Sequence, residues 1–73
     1  YIEFKDAHSI SMVADEIKSN MINIVSIEIV KPAYGNTGNV AAILTIRLKK
    51  KRVRFDVVAK ICEMDGVEFA EEI

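Results

Sequence analysis

The sequence has one cysteine, one proline, one histidine, three glycines and no tryptophan, and aromatics make up only 7% of it. Each scarcity removes a class of function. A single cysteine, Cys62, cannot close a disulfide within the chain, and this usage suits a reducing compartment. One histidine, His8, far in the chain from Cys62, gives no ligand set with metal-site spacing. The formal net charge is −1, so no excess of one sign draws the chain to nucleic acid or to an anionic membrane. Its basic run, Lys49-Lys50-Lys51-Arg52 followed by Arg54, has no interleaved rings. A sheet that reads RNA needs exposed aromatics for stacking, and Phe4, Phe55 and Phe69 are spaced like packing residues. The run reads as a solvated turn, and no nucleic-acid partner is expected. No apolar run reaches the roughly 18 residues of a membrane-spanning helix.

What remains is ordinary globular composition: 73 residues, 51% hydrophobic and 29% charged, too apolar for disorder. A chain of this length forms one domain and buries roughly 60% of its unfolded surface, so its core is thin. The chain opens on Tyr1 already within a strand-like pattern. The expectation is a single domain over residues 1–73, excised from a longer protein.

The segment Val40 to Leu48 organises the rest. Ala42, Leu44, Ile46 and Leu48 alternate with Ala41, Ile43, Thr45 and Arg47, one face fully apolar and the other turning polar only toward its end. Such alternation with β-branched residues predicts a central strand. Before it, Tyr1 to Lys5 alternates with Ile2 and Phe4 on one face. Ile10, Val13, Ala14, Ile17 and Met21 then recur at helical spacing, with Ser9 as the expected N-cap and Asp6 at the positive end of the dipole. Asn20 closes that helix. Ile22 to Val30 reads as a second strand, with Val25, Ile27 and Ile29 on one face and Ile24, Ser26 and Glu28 on the other. Lys31 to Gly38 is the loop of a long hairpin. A second helix starting near Val53 or Arg54 buries Val57, Val58, Ile61 and Met64 and ends at Asp65-Gly66, the glycine supplying a left-handed cap. Val67 to Phe69 is a short last strand.

The order strand, helix, strand, strand, helix, strand, with right-handed crossovers, predicts an α+β fold of ferredoxin-like βαββαβ type. Its four-stranded antiparallel sheet would be ordered 4-1-3-2, with two helices on one face. The sheet face away from the helices is then left with Ile24, Ser26, Ile43 and Thr45, and strand two presents a long β-branched edge. Apolar residues on an open sheet face and an uncovered edge both call for a partner. We expect self-association or contact with another domain through this face or the strand-two edge.

Candidate chemistry is sparse. Asp6, His8 and Ser9 lie in the loop before the first helix, where a helix N-terminus can meet a small polar ligand. Three neighbours on one loop do not make a catalytic triad. Acylphosphatase chemistry on this topology uses an arginine in that loop, and none is present. Gly35 and Gly38 match no phosphate-loop spacing. No catalytic residue, cofactor site or metal site is expected, and the chain reads as non-catalytic.

The whole chain resembles an ACT-type domain. Ile22-Asn23-Ile24 opening strand two and the close Ile61-Cys62-Glu63-Met64-Asp65-Gly66-Val67 carry that likeness. It is more specifically similar to the cytoplasmic C-terminal domain of the MgtC/SapB family of bacterial membrane proteins. The residues that carry this are Tyr1-Ile2-Glu3-Phe4, the run Ala42 to Leu48, and Met64-Asp65-Gly66-Val67 with Glu71-Glu72-Ile73. The resemblance implies a transmembrane domain before Tyr1 and a location on the cytoplasmic side of the bacterial membrane. It also implies a regulatory or interaction role in a protein linked to low-magnesium adaptation and virulence, often described as a magnesium transporter. The alternative it leaves open is a small-molecule-sensing ACT module of a soluble metabolic enzyme. Amino-acid-binding ACT domains carry a glycine in the first loop; here His8 and Ser9 stand there, and no family binding residue carries over.

Overall fold

The computed structural model describes residues 1–33, 39–48 and 54–73, without the side chains of 54 and 55. The elements run β1 (Ile2–Phe4), α1 (Ala7–Ser19), β2 (Ile22–Val30), β3 (Val40–Leu48), α2 (Arg54–Cys62) and β4 (Val67–Ala70). The four strands form one antiparallel sheet in the order β2-β3-β1-β4. This is the expected ferredoxin-like α+β architecture, with β1 and β3 central. The expected turn at Lys49 to Arg52, a helix start at Val53, the Phe55 ring and the tip of the hairpin loop at 34–38 lie outside the described residues.

The core is built from the apolar stripe of each element. Ile2 and Phe4 of β1, Val13 and Ile17 of α1, Ile22 of β2, Ala42 of β3, Val57 and Ile61 of α2, and Met64 form one buried cluster. Both helices contribute to it, so they cover the same sheet face. Ile24, Leu44, Ile46 and Leu48 are half-buried against its margin.

Three sequence expectations change. The first concerns where α1 begins. Asp6, not Ser9, is its N-cap: Asp6 has extended backbone (φ −161°), and its side chain accepts from the Ser9 amide. The apolar period begins only at Ile10, so it hid a first turn, Ala7 to Ser9, that carries no large apolar side chain. Ser9 lies within the helix and is buried.

The second concerns the end of each helix. Met21, expected in the apolar stripe of α1, is 47% exposed. It follows the Asn20 C-cap with a left-handed φ of 65°, which turns it off the helical face. The second helix stops at Cys62, earlier than Asp65-Gly66. The Glu63 and Met64 amides donate to the Lys60 and Ile61 carbonyls, tightening the last turn and satisfying its acceptors. Gly66 does adopt the left-handed conformation (φ +95°), but in the turn that leads into β4.

The third concerns β2. Its register against β3 shifts between Ile24 and Ser26, so that Ile24 faces Ile46 while Ser26 faces Thr45. One extra residue in a strand reverses its in–out alternation. Ile24 therefore packs on the helix side against the core, not on the open face where strict alternation placed it. Ile27 and Ile29, opposite Leu44 and Ala42, return to that same helix side.

Candidate functional site

The loop before α1 is a closed joint. The Asp6 carboxylate accepts from both the amide and the hydroxyl of Ser9, each at 2.9 Å. These two bonds from Ser9, amide first, hold the Asp6 carboxyl below its ordinary range; the neighbouring His8 charge adds to the effect. Gly66 sits directly over Ser9: a Cβ at Gly66 would lie 2.8 Å from both Cβ and Oγ of Ser9. The Gly66 carbonyl accepts from the Lys5 amide at 2.9 Å. The end of β1, the start of α1 and the turn before β4 thus meet at one point, and glycine is there because no side chain fits. Of the candidate ligand loop, Asp6 and Ser9 are bonded to each other, and His8 is exposed in the first turn. The structure does not bring the three together around a common space.

The open sheet face divides into two parts. Over β1, the register places Glu3 beside Ala41 on one side and Phe69 on the other. Glu3 is only 1% exposed. The Tyr1 hydroxyl donates to its carboxylate at 2.6 Å, and the Ala33 amide donates to that same hydroxyl at 2.6 Å. The Tyr1 and Phe69 rings meet edge to face with centroids 6.4 Å apart. Sequence reading missed this buried carboxylate, because a strand of alternating residues gave no sign that the polar side would be covered. The tyrosine two residues before it was the only available signal.

Toward β2 the same face is polar and open. Ser26 pairs with Thr45 and Glu28 with Ile43. Ser26, Thr45 and Glu28 are exposed and Ile43 is half-buried. Three of the four expected interface residues, Ser26, Ile43 and Thr45, therefore share the open face, and Ile24 does not. The apolar surface lies instead along the outer strand: Val25, Ile27 and Ile29 are 53%, 41% and 63% exposed. β2 is the outermost strand of the sheet on that side, so among the described residues its far edge has no neighbouring strand.

A cavity of about 270 Å³ opens between the helices and the sheet, walled by Ile17, Leu44, Ile46, Val57 and Ile61, with Glu71 and Glu72 among its lining residues. Among the described residues no group of three or more His, Cys, Asp or Glu side chains is placed to hold a metal ion. Within the same residues no helix is long and apolar enough to cross a membrane. No family model, curated protein or solved structure matches the chain.

Proposed function

We propose that this chain is a non-catalytic regulatory or interaction domain that works through protein contact along its outer strand β2. The observation that carries this reading is the set of exposed apolar residues Val25, Ile27 and Ile29 on a strand whose outer edge has no neighbouring strand among the described residues. Exposed β-branched residues in sequence on an edge strand are a hazard unless something covers them. Contact is favoured over small-molecule capture at the first loop because Asp6 and Ser9 are already bonded to each other there. The likeness to the C-terminal domain of MgtC/SapB membrane proteins supports placing the domain at the cytoplasmic face of a bacterial membrane, as a regulatory appendage of the parent protein.

Hydrogen exchange on the intact parent protein, compared with the isolated chain, tests the contact. Amides along β2 should exchange more slowly in the parent, while those of β1 and β4 are unchanged. Equal exchange of β2 in the two forms would remove the interaction reading. Fractionation of the same parent tests the membrane assignment, which requires that it sediment with membranes and resist extraction by salt.

A further inference from the structure

We propose that the residues preceding Tyr1 in the parent protein continue β1 as a strand and fill a slot between β3 and residues 71–73. This rests on reading the chain as one domain of a longer protein. β1 is three residues long, while its neighbour β3 is nine. Their register ends with Ile2 opposite Ala42, so β3 runs on past β1 through residues 43–48. Among the described residues no strand lies on the β1 side of that stretch. The chain also runs on beyond the other flank of β1. Tyr1 and Glu71 each donate from the main-chain nitrogen to the other's carbonyl, at 3.0 and 2.9 Å, and residues 72 and 73 follow. β3 and β4 both flank β1, so they stand two strand spacings apart, roughly 10 Å. That gap is one strand wide.

The cavity of about 270 Å³ is this gap met from the helix side. Leu44, Ile46 and Leu48 form one wall, residues 71–73 the other, Tyr1 closes one end, and Ile17, Val57 and Ile61 lie above. Its chemistry selects the occupant. Tyr1 turns its main-chain groups toward Glu71, so Ile2 turns its own toward Ala42, because successive residues of a strand alternate. In β3 the amides and carbonyls of Leu44, Ile46 and Leu48 therefore face the gap. An oily small molecule would fill the volume and leave those groups unpaired, which is costly away from water. An extended peptide satisfies the backbone and the apolar wall together. The volume is roughly twice that of a cavity that takes one benzene, room for two or three aliphatic side chains.

The register fixes what that peptide must be. Continued from Ile2 opposite Ala42, the first, third and fifth residues before Tyr1 oppose Leu44, Ile46 and Leu48. They share the helix-side face of those residues and are apolar. The second and fourth oppose Thr45 and Arg47 on the open face and are polar. A peptide from another molecule would have to end where Tyr1 begins. The preceding residues already enter the slot in line with β1 and need no further loop closure. The domain is then joined to its parent through its own core, and a change upstream reaches Leu44 and Ile46 directly.

Hydrogen exchange resolved by residue, in the intact parent and in the 73-residue chain, tests this. The Leu44, Ile46 and Leu48 amides should exchange at least about tenfold more slowly in the parent. Aspartate at the third residue before Tyr1 should return the Ile46 amide to its rate in the 73-residue chain, because it sets a carboxylate among Ile17, Val57 and Ile61. Aspartate at the second residue, on the open face, should leave that rate slow. Equal exchange of Leu44, Ile46 and Leu48 in the two forms would overturn the proposal. Equal effects of the two aspartates would overturn the register. The β2 amides report separately: β2 slowed with these three unchanged leaves the contact reading standing and removes the strand extension. The reverse pattern keeps the extension and removes the contact.

Discussion

Strands β1 and β2 are written in similar residues and meet opposite fates. Each alternates isoleucine or phenylalanine with polar side chains, and each carries a glutamate in its interior. In β1 all three residues, Ile2, Glu3 and Phe4, are at most 3% exposed. In β2 Val25, Ile27 and Ile29 are at least 41% exposed, and Glu28 lies open. The difference is position. β1 lies between β3 and β4 with both helices contributing to the core over it, whereas among the described residues β2 has a strand on one side only. Hydrophobicity put both strands in the sheet, and sheet order decided which of them became core.

The sharpest way to test this contrast is to truncate one apolar residue in each strand. Phe4→Ala should cost about 3–5 kcal/mol by opening a cavity, which is most of the stability of so small a domain. Ile29→Ala should leave the denaturation midpoint of the monomer within about 0.5 kcal/mol of the parent. Comparable losses in urea melts of the two variants would end the distinction.

Next in size is the joint that holds β1 against the helix start. Gly66→Ala adds a methyl group against Ser9 at a left-handed φ of +95° and should cost about 2–3 kcal/mol from strain and crowding together. In a double-mutant cycle Ser9→Gly should recover part of that loss, because the clashing Cβ and Oγ are both removed; strict additivity would mean that Ser9 is not what crowds the site.

The glutamates give a third comparison. Glu3→Ala removes the acceptor of the Tyr1 hydroxyl in a buried setting and should cost about 1–3 kcal/mol. Glu28→Ala, at an exposed site, should change stability by no more than about 0.5 kcal/mol. Equal effects in chemical denaturation would show that burial does not separate these carboxylates.

The smallest effect concerns Asp6. Its carboxyl is depressed in the folded chain, so the folded state holds that proton less tightly than the unfolded chain does. The stability this contributes is present above the ordinary value of 3.8 and is lost as pH falls through the lower folded value. Asp6→Ala should therefore destabilise the chain at neutral pH and flatten the acid limb of its stability profile. A variant whose acid limb coincides with that of the parent would remove Asp6 from the cap.

Most of the fold was legible because the periodicities are clean. The alternation in Val40 to Leu48 and the helical spacing of Val13 and Ile17 both match their observed faces. The misreadings share one cause. Ile24 was placed on the wrong face because a single-residue bulge has no signature in hydrophobic pattern, so the alternation that holds from Ser26 to Glu28 does not carry back across it. Ser9 was taken for the cap because a first helical turn without a large apolar side chain leaves no mark in the hydrophobic pattern. The candidate loop Asp6, His8 and Ser9 was legible as residues but not as a closed joint. What closes it is Gly66, a residue from the far end of the chain.

The sequence by itself therefore determined the number, type and order of the elements, since local propensity and the spacing of apolar residues act over a few neighbours. Only the tertiary structure decided that Glu3 would be buried under Tyr1 while Glu28 stayed open, and that Ile27 and Ile29 would be left at the surface. Those outcomes depend on which strand lies beside which and on where a ladder slips by one residue, and both are set by contacts between residues distant in the chain.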